Sequence, residues 1–491
     1  MLFVSKINSY FSFLYTPHGE RYSILLKYFI PEFITALLFS SLLHIIDAAF
    51  IADLKSTSLY ATQGVSSTLI HLMSKITEGL SVGTLVLTGH YNGLRDYKSV
   101  GKTVITSLWV TFFLGACIAL ALYCGAHWIY SMYNIPEKMV SYGVSFLRLR
   151  VLGIFFACMY FSLVGFMRGI KNTYVPMILF IIGSIVFIFF DYVLIFGMWG
   201  FPQMQLRGSA MASVIQYAVM LVGALLYTLC NKETRAYSIG FYETFDYKLA
   251  FNILSLSWPV IIDKATLAVA KIWLAMLIAP MGKIILASFT VIKDMEQFAF
   301  VPALACAHVI TFLVSNDFGL KNWDGILANI KKIIIISMSM MGLIILIFCL
   351  WPTTIIQCFD KKGVFIDFAQ RAFPLVSILV ICDLLQLVLS AALRGAGDVK
   401  TVMVVRLAVC LCFFFPVSYI LSLMPCTNIM LKFVLIYASF YVNNGIMSLI
   451  YIYRLRGHAW KNQLPIVEAT DYGEDLKGRD FKTGTHISHK N

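Results

Sequence analysis

Ionisable side chains inside apolar stretches are the residues of this sequence that could do chemistry. Asp191 stands in Ile188-Phe-Phe-Asp-Tyr-Val-Leu-Ile-Phe196, Asp47 follows Pro31 by about four helical turns, and Asp383 sits in a third apolar stretch. An ionisable group in hydrocarbon costs roughly 2.5–3.5 kcal/mol on insertion scales, so each needs a partner, a water-filled cavity or a task. An acid kept there is able to load and release a proton. The bland alternatives are a carboxylate that satisfies a neighbouring hydroxyl and, for Asp47, exposure at the membrane edge. Asp383 has no opposite charge near it in sequence, which favours a cavity-facing role.

A second group is more crowded. Lys264 and Lys271 are seven residues apart, hence on one face of a helix, and Asp294 and Glu296 lie at mid-depth of the next one. With Asp263, and with Lys293 beside them, they form a charge network that is either an internal salt-bridge cluster or a substrate or ion site; both readings stay open. Lys75 and Glu78, three apart, read as a local ion pair, and His44, His71 and His308 as hydrogen-bonded packing residues. Pro31, Pro259, Pro302, Pro374 and Pro416 interrupt apolar runs and free backbone groups, so each marks a bend. Pro31 shares its helix with Asp47. A protonation-sensitive bend at Pro31 is one expectation and a static kink the other.

These residues must be positioned by membrane-spanning helices. Of 491 residues 59% are hydrophobic and 13% charged, with a mean hydropathy of +0.81. An ordinary soluble chain has about 25% charged residues, so lipid must be the solvent for most of this one. Twelve apolar runs fit spanning helices, at about 24–50, 64–88, 103–125, 143–167, 175–198, 208–230, 250–278, 284–314, 331–351, 367–393, 402–424 and 431–453. The fold class is an all-α integral membrane protein of twelve transmembrane helices. The formal charge of +13 is distributed among short connections, which excludes a nucleic-acid partner and reads as orientation signal. Lys and Arg gather on alternate connections, including Arg168 with Lys171 and Arg394 with Lys400, which puts both termini in the cytoplasm. Met1 to Ser23 carries no cleavage site of small residues and is expected to stay as a cytoplasmic segment. The eleven cysteines form no CxxC pair and read as small packed residues.

Two landmarks recur at nearly one spacing. Arg168-Gly169 and Arg394-Gly395 are 226 residues apart, and Pro31 and Pro259 are 228 apart. A duplicated six-helix unit follows, its halves related by an axis along the membrane normal. The expected organisation is an N-terminal segment at 1–23, an N-lobe at 24–230, a cytoplasmic linker at 231–249, a C-lobe at 250–453 and a polar cytoplasmic tail at 454–491. Neither a GxxxxGK[ST] cradle nor an HExxH or GxSxG motif is present, so the chain reads as no ATP-driven pump, no enzyme and a user of no cofactor.

Taken in order, Ile46-Asp-Ala-Ala-Phe-Ile51, Gly79-Leu-Ser-Val-Gly83, Phe166-Met-Arg-Gly169 with Asn172 and Pro176-Met177, Asp191-Tyr-Val-Leu-Ile-Phe-Gly197 with Gly208-Ser-Ala210, and Asp383-Leu-Leu-Gln386 leading to Leu393-Arg-Gly-Ala-Gly-Asp398 resemble the multidrug and toxic compound extrusion (MATE) family. The resemblance runs from about Leu25 to Tyr453. It implies two pseudo-symmetric six-helix lobes forming a V in the cytoplasmic inner membrane. It also implies alternating access, with export of an organic, often cationic, small molecule against an entering proton or sodium ion. Asp47 is similar in position to the helix-one coupling acid, Asp191 to the helix-five acid of the proton-coupled branch, and Asp383 to the helix-ten acid of the sodium-linked branch; Na+ is thus a candidate ion at any of the three. Phe187 stands where relatives often have Asn, and Leu267 where the sodium branch has a helix-seven acid. The expected assembly is a monomer. The alternatives are a flippase for a lipid-linked or anionic amphipathic substrate, with Lys264 and Lys271 on its head group, and a non-transporting receptor or scaffold.

Overall fold

Backbone polar groups have no water to bond in a bilayer, so an apolar run of this length must satisfy them within itself, and the helix is the solution available to it. In the computed structural model the described residues are 19–132, 136–232, 234–239, 245–353, 356, 366–425 and 428–462. The expectations for residues 1–18, for parts of the linker at 233 and 240–244, and for the tail beyond 462 fall outside them.

Twelve spanning helices follow one another. Helix α1 is built of Tyr22–Leu37 and Leu43–Asp53, joined by a π turn at Leu38–Leu42; α2 is Thr57–Gly93, α3 Tyr97–Ser131, α4 Glu137–Gly169, α5 Tyr174–Phe196 and α6 Leu206–Cys230. In the second lobe α7 is Tyr247–Ile278, α8 is Lys283–Ala299 continued by Val301–Gly319, and α9 is Trp323–Leu350. Helix α10 is Ile366–Ser377 and Val380–Gly395, bent by 48° between them. Helix α11 is Val399–Val409 and Phe415–Leu423 around a π turn at Cys410–Phe414, and α12 is Ile429–Arg456. The irregularities at α8, α10 and α11 accompany Pro302, Pro374 and Pro416, whose missing N–H groups break the ladder. Pro31 and Pro259, by contrast, lie within unbroken helical segments. The change of register in α1 falls two turns after Pro31, at Leu38–Leu42.

The duplication is visible in the backbone. Arg95 and Lys321 both take a left-handed conformation, as do Lys171 and Gly397, and each pair is 226 residues apart. The turn after α2 closes by the Asp96 N–H donating to the Tyr91 carbonyl, and the turn after α8 by the Asn322 N–H donating to Asp317, both at 2.9 Å. Asp96 and Asn322 then cap α3 and α9, accepting from Ser99 N and Gly325 N at 3.1 Å. Local chemistry as well as topology was thus copied.

Helices α2, α7 and α8 hold the lobes together, and glycines set how closely they approach. A Cβ at Gly79 would lie 2.6 Å from Ile261, one at Gly83 2.6 Å from the Ile253 carbonyl, and one at Gly93 2.2 Å from the Asn316 carbonyl. Small residues at four-residue spacing let backbones touch where lipid offers no hydrophobic drive. These contacts lie toward the end where α2, α4, α8 and α10 finish, called here the basic end. Asn92 donates to Asn316 at 2.7 Å there, and Asn316 donates to the Gly169 carbonyl at 2.8 Å.

Among the described residues, eight helices are long and apolar enough to cross a bilayer, or nine with α10 taken as one span. The three that fall short are α1, α2 and α7. They carry Glu32, Asp47, Lys75, Glu78, Asp263, Lys264 and Lys271, which meet partners across the lobes or face pockets and buried pairs within their own lobe.

Candidate functional site

A cavity of about 290 Å³ opens within the N-lobe, lined among others by Phe39, Asp47, Gln63, His71, Arg150 and Tyr217. The π turn of α1 brings Phe39 to its wall, the α1 segment after the turn brings Leu43, His44 and Asp47, and α2, α4, α5 and α6 supply the rest. Gln63 Nε2 donates to Asp47 Oδ2 at 2.8 Å and the Ser209 hydroxyl also donates to this carboxylate, while Asp47 Oδ1 has no hydrogen-bond partner. Asp191 lies beside this cavity on α5, one turn beyond the wall residue Phe187. Its side chain is 0% exposed and neither carboxylate oxygen accepts a hydrogen bond. Buried polar atoms are paired in the great majority of cases, so an orphaned carboxylate needs an explanation. Asp47, Asp191 and Arg150 lie within electrostatic reach of one another. Two carboxylates there share one guanidinium.

The charge network expected in the C-lobe does not form as one body. Asp263 accepts from Arg394 at 2.6 Å and from Arg406, so it belongs to a buried clamp at the basic end. Lys264 pairs across the lobes with Glu78, which also holds Lys75 at 3.1 Å. Asp294 pairs loosely with Lys293 at 3.6 Å, both half-exposed, and being two residues from Glu296 it faces elsewhere. Glu296 accepts hydrogen bonds from the Tyr437 and Tyr441 hydroxyls through Oε2, leaving Oε1 unpartnered. Lys271, Glu296 and Asp383 line one pocket of about 80 Å³. Asn444 Nδ2 donates to Asp383 Oδ1 at 3.0 Å.

Arg168 and Arg394 serve in the fold as more than the loop charges that their sequence position implied. Each ends its helix nearly buried and turns inward. Arg168 makes a two-pronged pair with Glu32, both bonds 2.7 Å, and His308 of α8 meets the same carboxylate at 3.1 Å. Glu32 went unremarked in the sequence although it follows Pro31 in an apolar run, where the cost of burial was itself the signal. Arg150 was also missed. Arg148, two residues earlier, lies over the Tyr123 ring at 5.2 Å, and sequence alone does not say which of the two arginines turns into the lobe. Among the described residues no group of three or more His, Cys, Asp or Glu side chains is arranged to hold a metal ion.

The sequence matches the MatE family over residues 33–193 and 259–420, one stretch in each lobe and together well over half of the chain. The chain belongs to the MATE family. It is 23% identical over 399 residues to the "Probable multidrug resistance protein YoeA" of Bacillus subtilis, covering 80% of this chain and 85% of the relative. It is 23% identical over 346 residues to the "Probable multidrug resistance protein NorM" of Thermotoga maritima, covering 70% and 73%. A solved structure described as the outward-facing conformation of a multidrug resistance MATE family transporter superposes with a TM-score of 0.81 at 17% identity, over 89% of this chain and 96% of that one. The twelve-helix, two-lobe architecture is that of MATE transporters, and this MATE protein is a multi-pass membrane protein.

Proposed function

We propose that this MATE protein exports organic, cationic or amphipathic small molecules across the cytoplasmic membrane by alternating access, in exchange for a proton or sodium ion. Its relatives carry multidrug resistance names, which supports the substrate class. The observation that carries the coupling is the carboxylate of Asp191, fully buried and unpartnered, sharing Arg150 with Asp47 beside the N-lobe cavity. Two acids against one guanidinium leave one negative charge uncompensated. A proton or sodium ion entering from outside neutralises it, the π-turned segment of α1 moves against the cavity, and the substrate leaves. Loss of the ion to the cytoplasm restores the negative cavity. The basic end is cytoplasmic with both termini, the transporter acts as a monomer, and the lobes correspond to 24–230 and 250–453. The glycine contacts at the basic end then close the cleft on the cytoplasmic side.

The flippase reading keeps one observation in its favour: Lys271 and Lys293 line a pocket in the C-lobe, and Lys75 lies within electrostatic reach of Lys271. Proteoliposomes with imposed proton or sodium gradients, given cationic dyes and an anionic lipid-linked probe in parallel, separate the two. Gradient-driven dye uptake that disappears in Asp191→Asn supports the antiporter; dye transport unaffected by that change removes Asp191 from the mechanism.

A further inference from the structure

The C-lobe pocket has the parts of a cation site and contains a cation of its own. Asp383 from α10 and Glu296 from α8 converge on a space of about 80 Å³. Glu296 is 7% exposed, and its Oε1 is buried without a hydrogen-bond partner. Tyr437 and Tyr441, from α12, serve the other oxygen, and Asn444 holds Asp383. Aromatic rings of Phe289, Phe300 and Phe440 complete the wall. Into the same space α7 presents Lys271, whose attractive electrostatic partners are Asp383 first and Glu296 second.

An ammonium on a four-carbon stem is a compact point charge with three donors and some freedom to choose acceptors. Two carboxylates left alone at this depth would repel each other and pay for their desolvation. The side chain of Lys271 supplies the compensating charge without an ion from either bath. It cannot dissociate, so it stays at the pocket through every step of a transport cycle. Lys293, on the wall of the same pocket, is a second cation there, whereas in the N-lobe Arg150 alone answers two acids.

The geometry points to Lys271 as a tethered counter-cation that fills the charge requirement of Asp383 and Glu296, so that the C-lobe pocket is a latent monovalent-cation site opened by removing the lysine charge. Wild-type protein therefore takes up no free cation at this pocket, and Lys271→Met creates a place for one. The inference does not depend on which ion the N-lobe uses, because its readout is binding rather than transport.

The test uses the full chain in lipid nanodiscs, with radioactive sodium as the probe in scintillation proximity and thermal melting in sodium against choline chloride. Lys271→Met is expected to gain saturable sodium binding and a sodium-dependent rise in Tm, as a ligand that binds only the folded state must give. Both gains are expected to vanish in Lys271→Met with Asp383→Asn, and Lys271→Arg is expected to behave as wild type. Sodium binding by wild type that Asp383→Asn abolishes overturns the inference, as does a folded Lys271→Met that gains none. Should Lys271→Met fail to fold in choline, recovery of folding in the Lys271→Met, Asp383→Asn double variant supports a counter-charge role, and failure to recover overturns it.

Discussion

The two lobes descend from one unit, yet their acidic pockets differ in charge balance and in room. In the N-lobe, Asp47 and Asp191 share Arg150 beside a cavity of about 290 Å³. In the C-lobe, Asp383 and Glu296 face Lys271 and Lys293 around one of about 80 Å³, and two tyrosines and an asparagine occupy two of the four carboxylate oxygens by hydrogen bonds. Where duplication leaves two copies of a site, a change in the basic residues around one of them alters its charge balance. Fold symmetry therefore does not carry chemical symmetry: the N-lobe sets one guanidinium against two acids beside a large cavity, and the C-lobe sets two lysines against two acids around a small one.

Several changes would break or sharpen this contrast. Asp47→Asn or Asp191→Asn should reduce gradient-driven export in proteoliposomes to the level of empty vesicles, a loss of well over tenfold, where tenfold corresponds to about 1.4 kcal/mol of barrier. Asp383→Asn should leave the rate within about twofold, well under 1 kcal/mol on the same scale. Equal losses at Asp383 would dissolve the distinction between lobes.

The basic-end clamps give the next largest effects, now on stability. Removing one partner of a buried pair leaves an uncompensated charge and costs about 3–5 kcal/mol. Glu32→Ala should lower the Tm by that scale of destabilisation, and Asp263→Ala by more, since it strands both Arg394 and Arg406. Thermal melting of the purified variants ranks them. Gly93→Ala pushes a methyl against the Asn316 carbonyl, for which overpacking of about 1–3 kcal/mol is expected. Spin-label distances across the basic end should lengthen in that variant. Lys75→Ala removes a pair that is 40% exposed on the lysine side, and Lys264 still holds Glu78; about 0.2–1 kcal/mol is expected, read from the same melts.

Much of this molecule was legible in its residues, for reasons that are local. Twelve spans follow from the cost of polar backbone in lipid, and the copied unit from the Arg-Gly turns at 168 and 394. Asp191 declared itself because no polar neighbour in sequence explains an acid among Phe189, Phe190 and Val193. The Lys75–Glu78 pair was legible because residues three apart on a helix are neighbours. The misplaced cases share the opposite property. Asp263 sits next to Lys264 in the chain, yet adjacent helical residues point about 100° apart; one meets arginines of α10 and α11 while the other crosses to Glu78.

Sequence by itself determined that this chain lies in lipid as two related helical lobes and that a few acids there demand a reason, because desolvation penalties and periodicity act along the chain. Only the tertiary structure decided which acids are answered. Charge compensation acts through space across helices distant in sequence, so Arg150 comes to be shared by two carboxylates and Lys271 to face Asp383 only once α1, α4, α5, α7 and α10 are packed.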